Sequence, residues 1–283
     1  MDIGEFLRSR RARVSPAQLG LVSHGRRRVP GLRREELAQA AGVSVDYYVR
    51  LEQGRGRAVS DAVLDAISRV LRLDDAEREH LRNLARPAPA SKRPEPRPVR
   101  PGLQRLLDAM TDVPAFVLGR RMDIVAWNVL ADALYGISEW PASERNAARH
   151  AFLSPTGRAF YPDFETVAAE TVAYLRLDAG RHPGDKRLAT LIGELSIRDE
   201  TFRRLWTSHD VREKTYGAKR IHHPVVGDLD LTYETLQPPG EPGLLLVTYT
   251  CEPGSPTQDR LRLLASWTAT VPPTSAAPDR VEK

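Results

Sequence analysis

The side chains best suited to reading a nucleic acid lie close together between Ser44 and Gln53. An arginine such as Arg50 can bond a guanine edge bidentately. A valine such as Val45 can touch a thymine methyl, and a carboxylate such as Asp46 can accept from cytosine. Ser44, Tyr47 and Arg34 are residue types that bond phosphate oxygens. These roles need a helix that shows Val45, Asp46, Tyr47, Val49 and Arg50 to one side while Tyr48 and Leu51, three apart, point inward. Other uses stay open: Tyr47 could pack on a neighbouring helix, and Asp46, near the helix start, could serve the helix dipole. Arg50 is the residue least easily explained without DNA.

The elements that must hold this set are legible in residues 31–54, GLRREELAQAAGVSVDYYVRLEQG. Arg33 to Ala41 has helical periodicity, with Leu37, Ala38 and Ala41 on one face and Arg34, Glu35 and Gln39 on another. Gly42 stops that helix because it can adopt a left-handed backbone without strain. Ser44 is a natural N-cap for the next helix, and Gly54 ends it. Two short helices about a glycine turn predict a helix-turn-helix, whose second helix enters the major groove.

The flanks extend the helical reading. Residues 2–13 predict a helix with Ile3, Phe6 and Leu7 on one face and Arg8, Arg10, Arg11 and Arg13 mostly on the other. Arg26 to Arg28 form a basic run that either touches phosphate or is a solvated loop. Ser60 caps a helix with a Val63, Ile67, Val70, Leu71 stripe, and Ala76 to Ala85 gives a fifth helix with Leu81 and Leu84 inward. Residues 1–100 hold 21 Lys/Arg against 13 Asp/Glu, a net of +8, whereas residues 101–283 hold 21 against 24, a net of −3. The basic part is thus the part with the helix-turn-helix, and a basic surface supplies the sequence-independent share of DNA affinity.

Residues 86–101, RPAPASKRPEPRPVRP, are a proline-rich linker. Beyond it a helix is expected over Gly102–Met110, then strands Ala115–Leu118 and Ile124–Trp127. Helices follow over Val129–Tyr135, Asn146–Phe152, Asp163–Leu177, Arg187–Leu195 and Asp199–Thr207. The strands Lys214–Val226, Leu229–Leu236 and Leu244–Cys251 close the order, with a hairpin turn expected at Gly227-Asp228. Thr257 to Trp267 reads as a last helix or helix-strand mix. This is an α+β, PAS-like arrangement with a five-stranded antiparallel sheet. The expected division is 1–85 DNA-binding domain, 86–101 linker, 102–271 second domain and 272–283 disordered tail.

LRREELAQAAGVSVDYYVRLEQG resembles the helix-turn-helix of XRE-type, phage-repressor-like regulators of the Cro and cI kind. Downstream, V-A-W-N, T-V-A-Y-L-R, F-R-R-L-W-T-S-H-D-V and K-R-I-H-H-P-V-V-G-D-L are similar to the MmyB-like ligand-binding domain. By register, the resemblance puts Val45, Asp46 and Arg50 against base edges and Ser44, Tyr47 and Arg34 against phosphate. Arg33 and Arg55 complete the expected DNA-contacting set. The resemblance implies a double-stranded DNA operator and a small apolar effector, fatty acids being the best candidates, and the few base contacts of a single helix-turn-helix predict a homodimer on a two-fold operator. The alternative is a DNA-binding repressor whose second domain serves only dimerisation or binding of a protein partner.

Trp127, Tyr135, Phe152, Phe164, Tyr174, Phe202 and Trp206 could line an effector cavity, with Arg176, Arg203 and His209 as polar ends able to meet a carboxylate. Core packing is the ordinary fate of such aromatics, as exposed salt bridging is of such cations. No cofactor, metal or catalytic residue is expected. His222 and His223 would point to opposite faces of a strand. There is no G-x-S-x-G, P-loop or dinucleotide fingerprint, and Cys251 in a β run reads as an inert thiol. No apolar run is long enough to span a bilayer and the N-terminus lacks a signal-peptide core, so a cytoplasmic protein away from membranes is expected.

Overall fold

The computed structural model describes residues 3–21, 31–55, 59–86 and 99–270. The basic run Arg26–Arg28, residues 87–98 of the linker and the expected tail at 272–283 lie outside the described residues.

The first helices are α1 (Ile3–Arg13), α2 (Arg34–Ala40), α3 (Val45–Glu52), α4 (Asp61–Val70) and α5 (Asp75–Ala85), with a 3-10 turn at Pro16–Leu19. Phe6, Leu7, Leu37, Tyr48, Leu51, Leu64, Ile67 and Leu81 are buried in their shared core. Ser60 and Asp74 cap α4 and α5 by accepting from the Val63 and Glu77 amides. α1 lies so close to the end of α3 that a β-carbon at Gly4 would overlap the Glu52 carbonyl. The outward arginine face expected of α1 forms in part, with Arg8 and Arg13 exposed. Arg10 is buried against Glu77 and Arg11 is drawn to Glu52, because acids on α5 and α3 stand where the helical pattern suggested solvent.

The chain continues through α6 (Pro101–Ala109), β1 (Ala115–Leu118), β2 (Ile124–Trp127), α7 (Val129–Tyr135), α8 (Ala147–Leu153) and α9 (Gly157–Phe160). Then come α10 (Phe164–Arg181), α11 (Lys186–Arg198), α12 (Glu200–Trp206), β3 (Tyr216–His223), β4 (Gly227–Leu236), β5 (Leu245–Thr250) and α13 (Pro256–Thr270). The strands form one antiparallel sheet in the order β2-β1-β5-β4-β3. The expected five-stranded PAS-like sheet is therefore present.

Contacts divide the chain into two compact units that interleave along the sequence. One comprises Met1–Glu95, Ala151–Leu153 and Phe164–Lys214; the other comprises Pro96–His150, Ser154–Asp163 and Thr215–Lys283. By contacts, Phe164–Lys214 groups with the first five helices. The reason is apolar: Leu177 of α10 and Val211 are buried in the same cluster as Phe6, Leu7 and Leu81.

In the second unit, α6 covers one sheet face through Leu103 and Leu107 on Ala115, Val117, Ala126 and Leu246. The register places Phe116, Val247, Tyr249, Tyr233 and Lys219 on the other face. The β3–β4 turn is made by residues 224–226, and Gly227 pairs with His223 at φ +79°. Gly227-Asp228 therefore opens β4 instead of forming the turn: glycine is used for its left-handed backbone, and Asp228 holds His222 at 2.5 Å. His223 faces the opposite way and accepts at Nδ1 from the Val225 and Val226 amides. Cys251 lies just past β5 and is half-buried.

Candidate functional site

The glycine turn forms as the backbone chemistry requires, with φ +68° at Gly42 and +69° at Gly54. The Ser44 hydroxyl accepts from the Tyr47 amide at 3.2 Å and starts α3. Tyr48 and Leu51 are buried, so α3 presents Ser44, Val45, Asp46 and Arg50 to solvent, with Tyr47 half-buried at the margin. Arg33 and Arg55 are exposed at the two ends of the motif. The Arg33 amide donates to the Glu36 carboxylate at 2.7 Å and closes the first turn of α2.

Arg34 is held in a way the sequence reading missed. Its Nε donates to Glu52 Oε2 at 2.7 Å, while Arg11 Nε donates to the other oxygen at 2.8 Å. Glu52 is 1% exposed, whereas the Arg34 side chain is 46% exposed. One buried carboxylate thus ties α1, α2 and α3 together and fixes an exposed cation on the surface. Burial alone would raise the Glu52 carboxyl, but the hydrogen bonds from Arg11 and Arg34 outweigh it and hold the group below its ordinary value. The signal was available: Glu52 follows Leu51 and stands four residues after Tyr48, which puts it on the inward face.

A second charged seam joins α1 and α5 to α10 and the segment after α12. Arg10 Nε meets Glu77 at 2.7 Å, and its Nη2 donates to the His209 carbonyl at 2.6 Å. Arg13 meets Asp210 at 2.6 Å. Arg181 grips Glu79 with Nε and Nη2 at 2.9 and 2.6 Å and also reaches Glu213. Between these pairs His80 is fully buried, edge-on to Phe6 at 5.1 Å, with Gly180 so near that a β-carbon there would overlap its ring. Among the described residues neither His80 ring nitrogen has a hydrogen-bond partner. Burial, reinforced by Arg176 and Arg10, pushes His80 down to about 3, so it is neutral.

The model for the MmyB-like transcription regulator ligand binding domain matches residues 99–264, and a helix-turn-helix domain model matches residues 2–81. The first match spans more than half of the chain. The chain belongs to the MmyB-like transcription regulators. No curated protein is matched. This MmyB-like regulator therefore joins a DNA-binding helix-turn-helix to a ligand-binding domain. Among the described residues no helix is long and apolar enough to cross a membrane.

The effector-site candidates fall into two groups. Trp127 and Tyr135 belong to the second unit. There Arg145 lies over the Trp127 ring at 5.1 Å. The Tyr135 hydroxyl pairs with that of Tyr249 at 3.0 Å, and its ring meets Phe116 and Phe160. Sequence reasoning missed Phe116, Tyr161, Tyr233, Tyr249 and the buried Lys219, whose Nζ stands over Tyr161 and Tyr233 at 5.6 and 5.3 Å. The alternation of β3 to β5 places Lys219, Tyr233 and Tyr249 on one face and the β1–β5 register adds Phe116, whereas Tyr161, just past α9, joins them only through the tertiary fold.

The other candidates, Phe164, Tyr174, Arg176, Phe202, Arg203, Trp206 and His209, belong to the first unit. Arg176, Trp206 and His209 meet: the guanidinium lies 4.0 Å from the Trp206 ring centre and its Nη1 is 3.2 Å from His209 Nδ1. Phe202 stacks on Trp206 at 5.7 Å. Arg203 is exposed and donates to the Ser196 carbonyl at 3.3 Å, so it stands outside this group. Tyr174 is half-buried on α10.

Proposed function

We propose that this regulator binds an operator as a homodimer and that a small apolar effector, fatty-acid-like, shifts its DNA affinity. The observation that carries the reading is the shared core of the helix-turn-helix and α10. Leu177, Gly180 and Arg181 of α10 pack on α1 and α5, so a ligand that favours one position of α10 favours one position of the DNA-reading helices. Such control requires different effector affinities in the two states. Val45, Asp46 and Arg50 read base edges, and Arg33, Arg34, Ser44, Tyr47 and Arg55 hold phosphate. One helix-turn-helix offers few base contacts, which favours two copies on a two-fold operator.

The first experiment is native mass spectrometry of the purified protein, followed by denaturing extraction and identification of released compounds. A co-purified acyl chain supports the reading. An empty domain that also gives no thermal shift with a panel of fatty acids overturns effector sensing and favours a second domain used for dimerisation or partner binding.

A further inference from the structure

α1 is gripped from two sides. Arg10 and Arg13 stand one turn apart and meet the segment after α12, whereas Arg11, about 100° round the helix, meets the helix-turn-helix. On the first side two successive carbonyls take the two arginines. His209 accepts from Arg10 Nη2 at 2.6 Å, and Ser208 accepts from Arg13 Nη2 at 3.1 Å. Asp210 offers its carboxylate to both, 2.6 Å from Arg13 and 3.6 Å from Arg10. The segment is itself held in shape. His209 has a left-handed backbone at φ +59°, which a residue other than glycine keeps only where its surroundings impose it. The Ser208 hydroxyl lies 2.9 Å from the second Asp210 oxygen, and Arg176 Nη1 lies 3.2 Å from the His209 ring. Val211 is buried in the same apolar cluster as Phe6 and Leu7 of α1.

On the second side, Arg11 donates to Glu52 at 2.8 Å and to the Leu32 carbonyl at 2.7 Å. The Arg11 carbonyl accepts the Leu32 amide at 3.1 Å, and a β-carbon at Gly31 would overlap it. Residues 31–32 lead straight into α2, and Glu52 at the end of α3 also holds Arg34. A displacement of α1 is therefore felt by both helices of the DNA-reading motif through one residue, Arg11. The Arg13–Asp210 pair is half-exposed and by itself adds little to stability. Its value is geometric: one carboxylate shared by two arginines a turn apart fixes where α1 lies.

We propose that Ser208–Asp210 clamps α1 and that Asp210 is a positioning residue for operator reading, acting through Arg10 and Arg13 on α1 and through Arg11 on α2 and α3. The assignment rests on the DNA-reading role of α3 proposed above and needs no effector. It gives a residue inside the span matched as the ligand-binding domain a part in aligning the helix-turn-helix.

The test uses the full chain without effector and two duplexes, one selected by this protein from a randomised pool and one of random sequence, read by fluorescence anisotropy. Asp210→Asn removes a negative charge, which by charge alone strengthens binding to any duplex. Positioning predicts the reverse for the selected duplex: affinity about tenfold lower, as when only about a tenth of the molecules hold the reading geometry, with affinity for the random duplex at or above wild type. Asp210→Glu, which keeps the carboxylate, should recover most of the preference. Arg13→Gln, a change at a half-exposed side chain, should also lower the preference and tests the clamp if Asp210→Asn fails to fold. The double variant should lose little more than either single one, because both remove the same interaction. A selected-duplex affinity at or above wild type in Asp210→Asn, an equal loss on both duplexes, an unchanged preference in Arg13→Gln or additive losses in the double variant overturns the assignment of Asp210 alone. A wild type that prefers no sequence overturns it together with the reading role of α3.

Discussion

Arg50 and Arg34 are both exposed arginines of the helix-turn-helix, yet their surroundings give them different work. Arg50 stands on the open face of α3, whereas Arg34 is anchored by the buried Glu52. Arg50→Ala is therefore expected to erase the difference in affinity between operator and random duplex. Arg34→Ala should weaken both alike and reduce the slope of log affinity against log salt by about one. Fluorescence anisotropy across a salt series measures both. Glu52→Gln should cost about 3 kcal/mol of stability in urea melts, because it leaves the Arg11 and Arg34 cations without their shared counter-charge. The Glu52 carboxyl is depressed in the folded state, so its stabilising contribution is present above the ordinary carboxylate range and is lost as pH falls through the folded value. The open face of α3 was legible because the spacing of Tyr48 and Leu51 is local. The anchoring of Arg34 was not, because its partner is a charged residue whose burial depends on α1, and nothing in the α1 pattern says where that helix lies.

At the scale of elements, the decisive contact is α10 on α5. Alanine usually strengthens a helix relative to glycine by about 1 kcal/mol, yet Gly180→Ala is expected to destabilise the protein because its β-carbon would overlap the His80 ring. A raised melting temperature would contradict that close approach. His80 gives the same contact a pH signature. Its folded value is about 3, well below the ordinary 6.5, so the unfolded chain takes up the proton first as pH drops. Stability is complete above 6.5 and is lost as pH falls from there toward 3, with a contribution of about 2 kcal/mol gone by pH 5. His80→Leu should flatten the acid side of a pH–stability profile recorded between pH 7 and 5. The strands β1 and β2 were readable from four-residue apolar runs between turns. The allegiance of α10 was not, because Leu177 reads as an ordinary core leucine and Gly180 as a weak point until the distant α5 is brought against them.

For the whole molecule, the seam between α10 and the DNA-binding helices predicts that coupling and binding can be separated. Arg181→Ala removes the grip on Glu79 and Glu213 without touching α2 or α3. Operator affinity without effector should stay within about threefold of wild type, while the effector-induced change should shrink by 1–3 kcal/mol, the usual size of allosteric coupling. Operator titrations with and without dodecanoic acid measure this. The gross layout was legible from composition: a basic helical start, a proline-rich joint and a later β-rich part. What composition hides is that the joint is not where the hydrophobic core ends. Leu177 and Val211 complete the core of the first five helices from far downstream. Hybrid regulators made by splicing a foreign sensor after residue 86 would therefore strip the DNA-binding half of part of its own interior. A transplant that carries α10 to Val211 along with the first five helices keeps that interior whole.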